Sequence, residues 1–114
     1  MRKNKWSDIR IMEWSVEVFP GLRCEKQIKK LEEELCEAEA EYGKNRERWL
    51  EEMADVSIVA TVLEYRFRSK IGAMIGRYIE CLPEKNQIFE ARDKKMDVNI
   101  MRKWSNNNGV YRHV

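Results

Sequence analysis

Residues 56–63 read VSIVATVL, a run without a single charge, and charged sequence continues on both sides of it. The β-branched content of the run favours a strand. Its continuity with helical sequence from about Asn45 to about Phe67 favours a helix instead. A helix that is apolar on every face has to be buried on every face. The remainder of the chain must therefore surround this element. Its 114 residues amount to one domain. With five Gly and two Pro there are too few turn residues for an all-β fold.

The surrounding sequence supplies amphipathic helices. Ser7 or Asp8 caps a first helix running to about Phe19, with Ile9, Met12, Val16 and Phe19 at helical spacing. Pro20-Gly21 ends it. A second helix spans about Cys24 to Tyr42, with Ile28, Leu31, Leu35, Ala38 and Tyr42 as its apolar stripe and Gly43 as a left-handed cap. After the buried helix, a shorter one over Ile71 to Leu82 carries Ile71, Ile75 and Ile79, and Pro83 stops it. A last helix is expected from Glu84 to Trp104, followed from about 105 by a turn and an extended end. The expected fold is a single all-α domain over residues 1–114, an antiparallel bundle of four to five helices. Charged residues make up 37% of the chain, against roughly 25% in an average domain. So much charge on a thin core predicts a partner subunit, and hence a homo-oligomer.

The overall charge is +2, from 22 Lys and Arg against 20 Asp and Glu, but it is unevenly placed. From Glu32 to Asp55 there are ten acids and three bases, a net −7; from Glu84 to Val114 there are seven bases and four acids, a net +3. This pattern fits helices that pair by charge. It equally fits one part holding cations while another faces anions. The near-neutral total and acidic centre argue against a nucleic-acid binder. Three cysteines, Cys24, Cys36 and Cys81, show no CxxC spacing and point to a reducing compartment. There is no apolar leader at the start and no segment of membrane-spanning length, so a cytoplasmic location is expected and no membrane partner.

Two acid pairs carry the chemistry. Glu34 and Glu37 are three apart and lie on one helix face, with Glu34 at the border of the apolar stripe. A solvated Glu-rich face is the plain alternative. Glu52 and Asp55 are again three apart, and their face runs on into Val59 and Val62 at the mouth of the apolar helix. A carboxylate there costs several kcal/mol unless it is paired or metal-bound. An Arg partner is one solution. A metal is the other, and four carboxylates from two helices suit Mg²⁺ or Mn²⁺. The only histidine, His113, lies near the end of the chain, which disfavours zinc and a histidine-based triad. Lys95, Asn99 and Arg102, at steps of four and three, place two bases and an amide on one helix face; a solvated basic face is the alternative. Trp6 or Trp14 can stack on a nucleobase or simply fill the core, and Trp49 and Trp104 shield the acids and anchor the tail respectively.

KLEEELCE followed by EEMAD resembles the two-part EExxE and ExxD signature of the MazG-like all-α nucleoside triphosphate pyrophosphohydrolases. Glu33, Glu34 and Glu37 match its first part, and Glu52 and Asp55 its second. DKKMDVNIMRKW is similar to a KMxxNxxRxW segment of the same group, and the ending GVYRHV to that subgroup's tail. The resemblance covers about residues 24–114. It implies hydrolysis of an NTP or dNTP to the monophosphate and pyrophosphate, by a bundle that assembles as a homodimer or homotetramer. It implies Mg²⁺, with Mn²⁺ as a substitute, on Glu34, Glu37, Glu52 and Asp55. Glu33 and Glu34 would be the catalytic pair, Glu33 standing behind the metal ligands or orienting a water. Lys95, Asn99 and Arg102 would contact the nucleotide, and Trp14, which lies outside the resemblance, is the candidate for stacking on its base. The competing expectation is a non-catalytic helical module whose acids are neutralised by Arg46, Arg48 or another subunit.

Overall fold

The computed structural model describes residues 5–107 and 110–113. It has five helices, α1 (Asp8–Val18), α2 (Cys24–Glu41), α3 (Arg46–Phe67), α4 (Lys70–Glu80) and α5 (Lys85–Asn99), followed by two short strands, β1 (Trp104–Asn107) and β2 (Val110–His113). The fold is all-α apart from that hairpin. Local chemistry sets the helix starts. The Ser7 hydroxyl accepts from the Arg10 N–H, Asn45 from Arg48, and Ser69 from Gly72, each satisfying a donor that the first turn leaves unpaired. Gly43 takes the left-handed conformation after α2, at φ 78°.

Each of α1, α2, α4 and α5 packs chiefly on α3. Every residue of α3 from Val56 to Leu63 is buried, as an element apolar all round requires. On one side Val56, Val59, Ala60 and Leu63 meet Leu31 and Ala38 of α2, Ile79 of α4 and Ile88 of α5. On the other, Ile58 and Val62 meet Trp6, Ile11 and Met96. Trp49 belongs to the first cluster and packs against Tyr42 at 5.7 Å, so it is a core residue and does not screen the acids. α3 and α4 approach closely at Gly72. A Cβ there would lie 2.7 Å from the Ala60 carbonyl oxygen, the Glu64 nitrogen and Leu63 Cβ.

A polar assembly ties the first helix down. Arg92, only 3% exposed, donates to Asp8 at 2.9 Å, Ser57 at 3.1 Å, Thr61 at 3.4 Å and the Trp6 carbonyl at 3.0 Å. Asp93 beside it accepts from the Lys5 and Trp6 backbone N–H groups. At the other end of α1, Arg66 donates to the Ser15 and Phe19 carbonyls, which also accept from the Phe19 and Leu22 backbone N–H groups, and so clamps the end of the helix. These contacts rotate α1 away from the expected stripe. Ile11 and Ser15 face inward, while Ile9 and Val16 are about half exposed, at 49% and 47%. Ser15 reads as polar, yet its hydroxyl is satisfied by the Met12 carbonyl at 2.7 Å and it is small enough for the interior.

α5 ends at Asn99, short of the expected Trp104. Trp104 starts the hairpin and sets its ring edge-on to Phe19 at 4.9 Å and to Trp14 at 6.1 Å. This aromatic cluster and the antiparallel pairing of Trp104 with His113 replace the helical continuation. The expected turn and extended end are therefore two paired strands. The far end of the α2 stripe is also exposed: Tyr42 at 71% and Leu35 at 36% lie beyond the cover that the other helices supply.

Gly72→Ala should destabilise the fold by roughly 1–3 kcal/mol, because backbone and a Cβ of α3 stand where the methyl would go. Gly76→Ala meets only the movable Glu64 carboxylate at 3.3 Å, and helix propensity should make it neutral or stabilising by up to about 1 kcal/mol. Urea unfolding of the two variants checks the contrast.

Candidate functional site

The α2–α3 hairpin brings the two acid pairs together. One carboxylate oxygen from each of Glu34, Glu37 and Glu52 lies within 4.8 Å of the others. Spacing of three on α2 produces this, since Glu34 and Glu37 rise on the face that turns toward Glu52 on α3. The trio is costly as it stands. Glu34 Oε2 and Glu52 Oε2 are buried, and neither has a hydrogen-bond partner among the described residues. Burial, then the nearby Asp55 charge, pushes the Glu34 carboxyl up to about 7, with Lys30 opposing. Glu52 is raised as well, by burial first and then by its hydrogen bond to Glu37 and the charge of Asp55. Three converging hard oxygen ligands, two of them with unsatisfied oxygens, fit a divalent cation such as Mg²⁺ or Mn²⁺.

Glu33, Glu34, Glu37 and Asp55 line one wall of a cleft of about 730 Å³. Asp55 stands apart from the trio, with its Oδ2 bonded to Lys95 Nζ at 3.0 Å. Its carboxyl is nonetheless raised, because burial outweighs Lys95. Glu34 has its own lysine, Lys30, at 3.7 Å. Arg46 and Arg48 do not neutralise these acids; they pair with Glu84 and Glu41.

Lys95, Asn99, Arg102 and Trp14 all line this same cleft. Arg102 lies beyond the end of α5, so the three polar residues do not share a helix face. A turn in which the Arg102 N–H donates to the Asn99 carbonyl at 3.2 Å keeps it at the site, where its guanidinium donates to Asn99 Oδ1 at 3.3 Å. Trp14 presents an indole whose buried Nε1 has no partner among the described residues. Trp6 does not line this cleft; its Nε1 donates to Asp97 and it lines an adjoining cavity. An adjoining cavity of about 360 Å³ shares the wall of Trp14, Asn99, Arg102 and Trp104.

Three lining residues did not stand out in the sequence: Lys26, Lys29 and Lys30 of α2. The signal was present. Lys26, Lys30, Glu33 and Glu37 recur at steps of four, three and four, so the helix face that carries the acids begins with bases. The cleft thus brings acidic and basic side chains together. Among the described residues no helix is long and apolar enough to cross a membrane. Comparison with protein-family models, curated proteins and solved structures finds no match to this chain.

Because Glu34 is held near 7 in the folded chain and near 4.5 when unfolded, the native state holds the extra proton between those values. That contribution is complete below about pH 4.5 and is lost as pH rises through 7. In EDTA, wild-type Tm should therefore fall between pH 5 and pH 8 relative to Glu34→Gln, and Glu34→Gln should be the more stable protein at pH 8. Thermal melts across that range check both.

Proposed function

We propose that this chain is a Mg²⁺-dependent nucleoside triphosphate pyrophosphohydrolase that splits an NTP or dNTP into the monophosphate and pyrophosphate. The observation that carries the reading is the convergence of Glu34, Glu37 and Glu52, two of whose buried oxygens have no partner among the described residues, beside a cleft that Glu34 and Glu37 line together with Lys95 and Arg102. Glu34, Glu37 and Glu52 would hold the ion, with Asp55 beside them. When bound, the ion neutralises phosphate oxygens and lowers the pKa of a coordinated water. Lys95 and Arg102 bind the triphosphate oxygens, and Asn99 offers its amide to the phosphate, sugar or base edge. Trp14 stands where cleft and adjoining cavity meet, at the place for the nucleoside. Glu33, exposed on the cleft wall beside Glu34, takes the proton of the attacking water. The water oxygen bonds to the α-phosphorus, the bond to the β-phosphate's bridging oxygen breaks, and pyrophosphate leaves. The reaction would clear unwanted nucleotides from the pool.

A second reading has its own observation. Lys30 and Lys95 already pair with Glu34 and Asp55, as a non-catalytic module neutralising its acids internally would have them do. Turnover separates the two.

We also propose a homodimer or homotetramer. Ile71, Met74 and Tyr78 occupy one face of α4, opposite the buried Gly72 and Ile79, and are 48%, 68% and 58% exposed. A second copy would cover them.

Incubation with the common NTPs and dNTPs plus dUTP should give monophosphate and pyrophosphate, lost with EDTA. Diphosphate and phosphate as products would contradict the cleavage site. Glu34→Ala and Asp55→Ala should each lower turnover by more than about 100-fold, beyond what loss of a ligand's supporting partner costs, with the helical circular dichroism retained. Tm should rise with protein concentration. A concentration-independent melt with a monomeric mass by light scattering would overturn the assembly.

A further inference from the structure

Two of the four acids in the proposed metal site are held by lysines. Lys30 Nζ lies 3.7 Å from Glu34 Oε1, and Lys95 Nζ lies 3.0 Å from Asp55 Oδ2. These pairs differ from the ion pairs on the open surface. Lys30 and Glu34 are 41% and 12% exposed, and Lys95 and Asp55 are 30% and 29%, whereas the Arg23–Glu25 pair is 58% and 65% exposed. Shielding of that degree makes the charges act strongly on one another. Lys95 also crosses from α5 to α3, so its position reports on both halves of the cleft. Lys30 sits on α2 between the basic Lys26 and the acidic Glu34, one turn from each.

An ammonium and a divalent cation cannot share the same carboxylates without repulsion. An ion on Glu34 competes with Lys30 for that carboxylate, and one that also reaches Asp55 beside the trio competes with Lys95. Once displaced, they still line the cleft, where the acids are now compensated and the negative charge nearest to them is that of a bound polyphosphate. We infer that Lys30 and Lys95 are exchangeable counter-ions: they neutralise Glu34 and Asp55 until a divalent cation takes those carboxylates, and then pass to the phosphates of the substrate. This rests on the metal assignment proposed above. It makes Lys30 a substrate-positioning residue, and it couples metal and polyphosphate binding reciprocally through the two lysines.

The test uses the full chain with Mn²⁺ and pyrophosphate as probes, followed by calorimetry, so that no turnover is needed. With Mn²⁺ alone, the double variant Lys30→Met/Lys95→Met should bind about tenfold more tightly than wild type, since two resident cations close to the site are gone. With the protein saturated in Mn²⁺, the Mn²⁺–pyrophosphate complex should bind the double variant about tenfold more weakly than wild type. Lys26 and Lys29 line the same cleft but make no ion pair among the described residues, so Lys26→Met/Lys29→Met should leave Mn²⁺ affinity within about threefold of wild type. An unchanged or weaker Mn²⁺ affinity in the Lys30/Lys95 variant would overturn the inference. So would an equal gain in the Lys26/Lys29 control, or unchanged pyrophosphate binding. Should the methionine variant not fold, Lys30→Gln/Lys95→Gln is read in the same way. Glu34→Gln/Glu52→Gln tests the parent reading separately. If that variant binds Mn²⁺ like wild type, or if wild type binds none, the metal assignment fails and the inference falls with it.

Discussion

The burial of α3 is the constraint on which the molecule depends. Four helices meet this one element, and each buries its apolar face chiefly there. The thin core noted from composition is thus concentrated around a single axis, from Trp49 to Leu63. The close approach of α4 at Gly72, the clamp of Arg66 on the end of α1 and the Arg92 assembly under α5 are three ways of seating a neighbour on the same rod.

The candidate site is a by-product of that arrangement. Glu52 and Asp55 occupy the turns of α3 just before its fully buried stretch, so they are drawn partly out of water by the packing that follows them. α2 and α5 flank the same part of α3 and bring Glu34, Glu37 and Lys95 to it. Carboxylates in such a place are unfavourable unless positive charge reaches them. Lysine meets that need for Glu34 and Asp55, whereas one oxygen of Glu34 and one of Glu52 have no partner among the described residues. The raised carboxyls of Glu34, Glu52 and Asp55 are the electrostatic signature of this compromise.

Much of this was legible in the sequence because it rests on local rules. The uncharged run gave the buried helix, spacing of three gave the acid pairs, and Ser7, Asn45 and Gly43 marked boundaries. What was not legible depended on distant partners. Ile9 and Val16 match helical spacing as well as Ile11 and Ser15 do, and only Arg66 and Arg92 decide between them. Nothing local marks Arg92 and Asp93 as buried, because the backbone of Lys5 and Trp6 that they hold lies at the other end of the chain. The end of α5 was missed because the attraction of Trp104 for Phe19 is long-range, although Asn108-Gly109 between alternating residues is a recognised hairpin signal. The pairing of Asp55 with Lys95 is likewise a contact across 40 positions.

A cylinder that is greasy all round has no preferred rotation about its own axis, and four greasy neighbours would hold it equally well at many angles. Ser57 and Thr61 remove that freedom. They lie one turn apart on α3, and both hydroxyls accept from the one guanidinium of Arg92. Only one angular setting of the rod offers both to it. The helix is rigid over this length, so the setting is transmitted to its first turns. Two hydroxyls inside an otherwise apolar stretch thereby act as the key that aims Glu52 and Asp55 toward α2 and α5.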